Sequence, residues 1–177
     1  MEIKALHNGD TPHVREAANL LREAFPHSYA DCAEEEMAKC LSEGRVALVA
    51  VEDGHVAGFI GAIPQYGETG WELHPLAVRA SRQGDGVGTR LIHALEAEVA
   101  KRGCITLYLG TDDEFDKTSL SGADLYDDLF GKIERIRNLR RHPFEFYQKM
   151  GYRIVGVLPD VNGIGKPDIW MAKRVGG

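Results

Sequence analysis

Apolar and polar positions along the 177-residue chain change period several times, and each change marks an element. Glu2 to Leu6 reads as a short first strand. Thr11 and Pro12 stand as N-cap and first residue of a helix whose inward face is Val14, Ala17, Ala18, Leu21 and Phe25, ending before Pro26. Asp31, with Glu34 in the N3 position, has the spacing of a capping box for a second helix that stops near Gly44. Two β-rich runs, Val46 to Val51 and Val56 to Ile63, flank Asp53-Gly54, a strong hairpin signal, so they are expected to pair antiparallel. After a loop from Pro64 to Gly70, the residues Glu72, His74, Leu76 and Val78 are expected to share one face of a further strand. Pro75 has no N–H to give to a ladder, so this strand should be bulged or unpaired there.

The amphipathic run from Thr89 to Arg102 predicts a helix closed by Gly103, and Cys104 to Leu109 predicts another strand. A strand, helix and strand in this order make a right-handed parallel crossover. Thr111 to Asp128 is acidic and irregular, whereas Leu125 to Leu139 has helical spacing with a basic end. A short helix from Pro143 to Gly151 and two strands, Tyr152 to Val157 and Asp168 to Ala172, complete the chain. No repeats, low-complexity tracts or linkers interrupt it. The expected architecture is one α/β domain over residues 1–177, with a mixed sheet flanked by helices.

Composition narrows the function classes. With 44% hydrophobic residues and no long apolar run, the chain reads as a soluble globular protein. Met1-Glu2-Ile3-Lys4 lacks the layout of a signal peptide, so a cytoplasmic location is expected. Cys32, Cys40 and Cys104 are unpaired by motif and suggest buried or half-buried thiols rather than a disulfide framework or a zinc site. A formal charge of −6 argues against nucleic acid and anionic membrane as partners and leaves cationic ligands. Glu34, Glu35 and Glu36 read as a solvated helix start, with attraction of cations as the other reading.

The chemistry concentrates between Glu72 and Thr89. Glycines at 84, 86 and 88 lie between a strand and a helix, where backbone N–H groups and the positive end of the helix dipole can hold a phosphate. A dinucleotide fingerprint does not fit, because from Gly84 and Gly86 the third glycine position falls on Thr89. On the strand before the loop, Glu72 and His74 are candidates to accept or relay a proton from an amine.

The spacing Gln83-x-x-Gly86-x-Gly88 resembles the acyl-CoA loop of the GNAT N-acetyltransferase superfamily. Gly58-Phe-Ile-Gly-Ala-Ile-Pro-Gln-Tyr-Gly67, Gly70-Trp-Glu-Leu-His-Pro-Leu76, Leu109-Gly-Thr-Asp-Asp113, His142-Pro-Phe-Glu-Phe-Tyr147 and Lys166-Pro-Asp-Ile-Trp-Met-Ala-Lys173 are similar to the aminoglycoside 6'-N-acetyltransferases of the enterococcal chromosomal type. The resemblance spans almost the whole chain. It implies the superfamily fold: a largely antiparallel mixed sheet whose central parallel pair splays at the acetyl-CoA site. It implies transfer of acetyl from acetyl-CoA to an aminoglycoside amine by direct attack on the thioester.

By the same resemblance, Glu72 or His74 is the base, the Leu76 N–H polarises the carbonyl, and Tyr147 is the acid that captures the thiolate. Leu76, Ala77 and Val78 would pair with the pantetheine arm, and Gln83, Gly84, Asp85, Gly86, Val87, Gly88 and Thr89 would hold the pyrophosphate. Gln65, Tyr66, Trp71, Glu72, Asp112, Asp113 and Asp116 are the expected acceptor-side residues. No metal is implied, and a homodimer is expected. The chain departs from the superfamily pattern at Arg140, where many members carry Asn, and at Pro143, where they often carry Ala. The alternative acceptors are a polyamine or a protein amine, and outside enzymes the alternative is a CoA-sensing or aminoglycoside-binding module.

Overall fold

The computed structural model describes all residues, Met1–Gly177. Seven strands form one sheet in the order β1-β2-β3-β4-β5-β7-β6. The sheet is mostly antiparallel, with β4 and β5 as its parallel pair and helices flanking it. The chain divides into two compact units, Met1–Leu107 with Arg174–Gly177, and Tyr108–Lys173.

The first unit contains β1 (Glu2–Ala5), α1 (Thr11–Ala24), α2 (Pro26–Tyr29), α3 (Ala33–Cys40), β2 (Val46–Glu52), β3 (His55–Tyr66), β4 (Gly70–Val78) and α4 (Val87–Lys101), and β5 (Thr106–Asp112) begins in it. Asp53 and Gly54 both have positive φ, at 51° and 82°, so the expected tight hairpin joins β2 to β3. Residues Val46 to Ala50 are all buried, as in a strand covered on both faces. Ala17, Leu21, Met37, Val49, Phe59 and Ala77 pack in one cluster, which covers the α1 and α3 side. On the opposite face α4 buries Val87, Leu91, Ile92, Leu95 and Val99. A Cβ on Gly58 would stand 2.8 Å from Leu91, so glycine lets this helix lie close to β3. Each fully buried Leu or Ile contributes roughly 1.5–3 kcal/mol.

Several local expectations change under tertiary contact. The N-cap of α1 is Asp10, not Thr11, and its carboxylate accepts from Lys4 Nζ at 2.8 Å and lies 2.8 Å from His13 Nδ1 instead of capping the helix. The Asp31/Glu34 capping box does not form, because Glu34 takes the Arg22 guanidinium of α1 at 2.5 Å and Cys32 occupies the N-cap position. β3 runs on to Tyr66, so the connection to β4 is shorter than expected. Pro64 lies past the last β2 pair, Val46 with Ala62, where β3 has become an edge on that side while still pairing through Trp71 of β4.

The second unit holds the rest of β5, α5 (Leu129–Glu134), α6 (Phe144–Lys149), β6 (Arg153–Leu158) and β7 (Asp168–Arg174), the last two paired antiparallel. The expected helix over 125–139 shrinks to α5. Residues 137–139 give their backbone to 117–119 instead: Ser119 N donates to Arg137 O, Leu139 N to Lys117 O, and Thr118 bridges Asn138.

Candidate active site

The expected bulge is present in β4. Ile60 pairs with Leu76 and Ala62 with Leu73, so three residues of β4 span what two of β3 span, around His74-Pro75. A Cβ on Gly61 would meet the His74 carbonyl oxygen at 2.6 Å, so glycine is required opposite the bulge. The bulge corrects the expectation of one shared face. Leu76 and Val78 pair with Ile60 and Gly58, whereas Glu72 pairs with Ile63, and even and odd positions of β3 point to opposite faces. The inserted residue separates the face of Glu72 from that of Leu76 and Val78, and His74 meets α2 and α3 through Tyr29 and Glu36.

His74 is half-exposed, at 39%, with Nε2 3.0 Å from the Tyr29 hydroxyl and 3.5 Å from Glu36 Oε1. Neither partner was evident from the sequence as a site residue. A signal existed for Glu36: it stands three residues after Ala33 and four before Cys40, both buried, so it borders the inward stripe of α3 while Glu34 and Glu35 are exposed. For Tyr29 no local pattern pointed to a strand 45 residues away. Glu72 accepts from Gln65 Nε2 at 2.8 Å, which joins two expected acceptor-side residues. Tyr66 is 68% exposed beside them. Trp71 is buried and gives its indole N–H to Glu68 O.

The loop after β4 passes through a single helical turn, Ala80–Arg82, and enters α4 with Gly84 and Gly86 in left-handed conformations, at φ 90° and 80°. No side chain caps α4, and a Cβ on either glycine would meet open space. The N–H groups of the first turn are thus left to a ligand, which fits a phosphate. Gln83 gives its side-chain amide to Val78 O at 3.2 Å and ties the loop to the end of β4. Asp85 accepts from Arg82 Nε at 3.0 Å, and the same guanidinium pairs with Glu52 of β2.

In the second unit, Tyr147 is buried in α6 with its ring centroid 5.3 Å from that of Phe146 and 5.9 Å from that of Tyr152. Burial pushes its hydroxyl well above the ordinary tyrosine range, so the proton stays on oxygen at neutral pH. The buried His142 orients the start of this helix: Phe144 N–H donates to its Nδ1 at 3.2 Å, and its Nε2–H donates to Asp112 O at 3.0 Å. Where Arg140 replaces the superfamily Asn, Asn138 brackets the turn, giving its amide to His142 O and accepting from His142 N–H. Asp113 is fully buried and accepts from Lys117 N at 2.6 Å and Thr118 N at 2.8 Å. Through these two bonds it holds the turn from 113 to 118. Asp112 and Asp116 are exposed; Asp112 accepts from Asn162, and Lys166 holds the Asp116 carboxyl below the usual range.

Residues 14–127 match the Acetyltransferase (GNAT) family. No curated protein sequence matches significantly. Among solved structures, the aminoglycoside 6'-N-acetyltransferase from Enterococcus faecium is 51% identical, with 99% of this chain and 97% of that chain covered and a TM-score of 0.95. An aminoglycoside 6'-N-acetyltransferase complexed with coenzyme A has the same identity and coverage and a TM-score of 0.97. An aminoglycoside 6'-acetyltransferase type Ii is 44% identical over 99% of this chain and 97% of that chain, with a TM-score of 0.80. A bulged strand leading into an uncapped, glycine-rich helix start, and a sequence match over most of the chain, lead to one conclusion: the chain belongs to the GNAT acetyltransferase family.

Proposed function

We propose that this enzyme acetylates the 6'-amine of aminoglycosides, using acetyl-CoA as co-substrate, and so confers resistance to them. The near full-length likeness to three aminoglycoside 6'-acetyltransferases carries this reading. Acetyl-CoA, when bound, supplies an acetyl thioester. The first-turn N–H groups of Val87, Gly88 and Thr89, with the loop from Gln83 to Gly86, would hold its pyrophosphate, and Leu76 to Val78 its pantetheine arm. The Leu76 N–H would polarise the carbonyl. Glu72 or His74 takes the proton that an ammonium substrate must lose before its nitrogen can form the new C–N bond. Tyr147 gives its proton to the sulfur as the C–S bond breaks.

On the acceptor side, exposed Gln65 and half-buried Glu72, with Tyr66, Asp112 and Asp116, would meet the sugar and its ammonium groups. The protein works in the cytoplasm, where acetyl-CoA is available, and as a homodimer. The test is thiol release from acetyl-CoA with kanamycin, with the acetylated nitrogen mapped on the product. Acetylation at the 6'-amine is expected, and transfer only to polyamines or protein amines would overturn the substrate assignment. A monomer mass by light scattering would overturn the dimer.

A further inference from the structure

His74 is held by two residues that its own strand does not supply. Tyr29 comes from α2 and lies 3.0 Å from Nε2 through its hydroxyl; Glu36 comes from α3 and places Oε1 3.5 Å from the same nitrogen. A carboxylate has only lone pairs to offer, so an imidazole lone pair facing it is repelled and an N–H is attracted. The tyrosine hydroxyl can donate or accept and does not decide the matter. Glu36 does. We infer that Glu36 sets the tautomer of His74, keeping the ring proton on Nε2 and leaving Nδ1 as the nitrogen that accepts the substrate proton, while Tyr29 holds the ring in place. The inference rests on reading His74 as the base.

The surroundings support a functional pair over a structural one. Glu36 is only 13% exposed on its side chain, so water screens it little, whereas His74 at 39% is open enough to meet a substrate. The titratable groups in contact with this pair are Tyr29 from α2 and Lys39 and Cys40 from α3. Lys39 Nζ stands 3.4 Å from Glu36 Oε2 and pairs with it on the side away from His74. Cys40 Sγ lies 3.9 Å from Oε1, but burial, with Glu36 beside it, pushes its thiol up to about 12, so it brings no charge. β3 presents Gly61 to the His74 backbone and brings no titratable group there. Tyr29 is itself braced, edge-on to Phe25 with ring centroids 5.7 Å apart.

The proton balance is complete within these groups. The amine gives one proton to Nδ1, the ring then carries protons on both nitrogens, and Glu36 opposes the new positive charge without accepting a proton. The imidazolium returns its proton to water after product leaves. Glu36 and Tyr29 are positioning residues, since they act through His74.

Long-range ¹H–¹⁵N NMR of His74 in the full-length wild-type protein, above its titration, tests the tautomer directly. A protonated Nε2 is expected, and a protonated Nδ1 overturns the inference. Kinetics give the second arm, with acetyl-CoA and kanamycin as substrates. Glu36→Gln should lower kcat about tenfold and move the acid limb of the kcat/KM profile down by about one pH unit, because an opposing charge no longer favours the imidazolium. KM for acetyl-CoA should stay unchanged. An unmoved limb in Glu36→Gln overturns the inference when His74→Gln abolishes that limb. Should His74→Gln keep the limb, the reading of His74 as base is what fails, and the NMR arm still decides the tautomer.

Discussion

Tyr147 and Asp113 are both buried, and what surrounds each polar side chain sets what it can do. The Tyr147 hydroxyl is buried and stays protonated, as the proposed acid requires. Tyr147→Phe should cost about a hundredfold in kcat where proton transfer limits the rate. Wild-type turnover under single-turnover conditions would remove it from the mechanism. Asp113 lies in the run of acids expected to meet a cation, yet its oxygens satisfy the buried N–H groups of Lys117 and Thr118. Asp113→Ala would leave both donors without a partner and should lower the unfolding free energy by about 2–4 kcal/mol, seen as a lower urea midpoint. If the midpoint holds while KM for kanamycin rises, the loop-holding role is wrong. Exposure and satisfaction are tertiary facts, which is why a sequence that lists Asp112, Asp113 and Asp116 together cannot sort them. Glu72 and His74 were legible as candidates from their strand and their place before the glycine loop. Their partners differ. Gln65 is close by in sequence, whereas Tyr29 and Glu36 come from a distant helical segment.

Elements were legible where one local signal dominates. Asp53-Gly54 gives the β2–β3 hairpin because both residues accept positive φ, and Pro75 gives the bulge because it has no N–H. They were misread where a tertiary partner outbids a local one, as when Arg22 takes Glu34 from its capping box or 117–119 pairs with the end of the predicted α5. The start of α4 depends on backbone geometry alone. Gly86→Val would force a β-branched residue into the left-handed region at a cost of about 1–2 kcal/mol and block the approach of a phosphate. Calorimetry should show much weaker CoA binding by the folded variant, and unchanged affinity would remove the loop from the site. The start of α6 depends on a neutral imidazole, since His142 must accept from Phe144 N–H while donating to Asp112 O. Burial pushes its folded value below the ordinary one, and the unfolded chain binds the extra proton between the two. Stability from this group is therefore complete above about pH 6.5 and is lost as pH falls through the lower folded value. The slope is at most about 1.4 kcal/mol per pH unit. Denaturant melts between pH 5 and 8 (about the span where His titrates) should show this slope in wild type and a flatter one in His142→Gln; equal slopes would mean that another group sets it.

Across the whole molecule, the charge of −6 matters because the proposed acceptor carries several ammonium groups. Local pairing offsets part of that charge: Lys166 neutralises Asp116, whereas Arg82 is shared by Asp85 and Glu52 and leaves one negative charge there. Other acids accept from neutral donors instead and keep their net field, among them Glu72 from Gln65, Asp112 from Asn162 and Asp124 from the Tyr126 N–H. Attraction between exposed charges fades as the screening length falls from about 10 Å at 0.1 M salt to about 3 Å at 1 M. Raising salt should thus increase KM for kanamycin far more than KM for a monoamine acceptor, with little change in kcat. Asp112→Asn combined with Asp124→Asn removes two exposed charges without uncovering a cation, so it should raise KM at low salt and flatten the salt dependence. Asp116→Asn uncovers Lys166, and its effect at low salt should be at least as large as that of either single change. If KM for polycationic acceptors ignores salt, and the double variant keeps wild-type specificity, recognition rests on the shape around Gln65, Tyr66 and Glu72, and the acidic surface serves solubility alone.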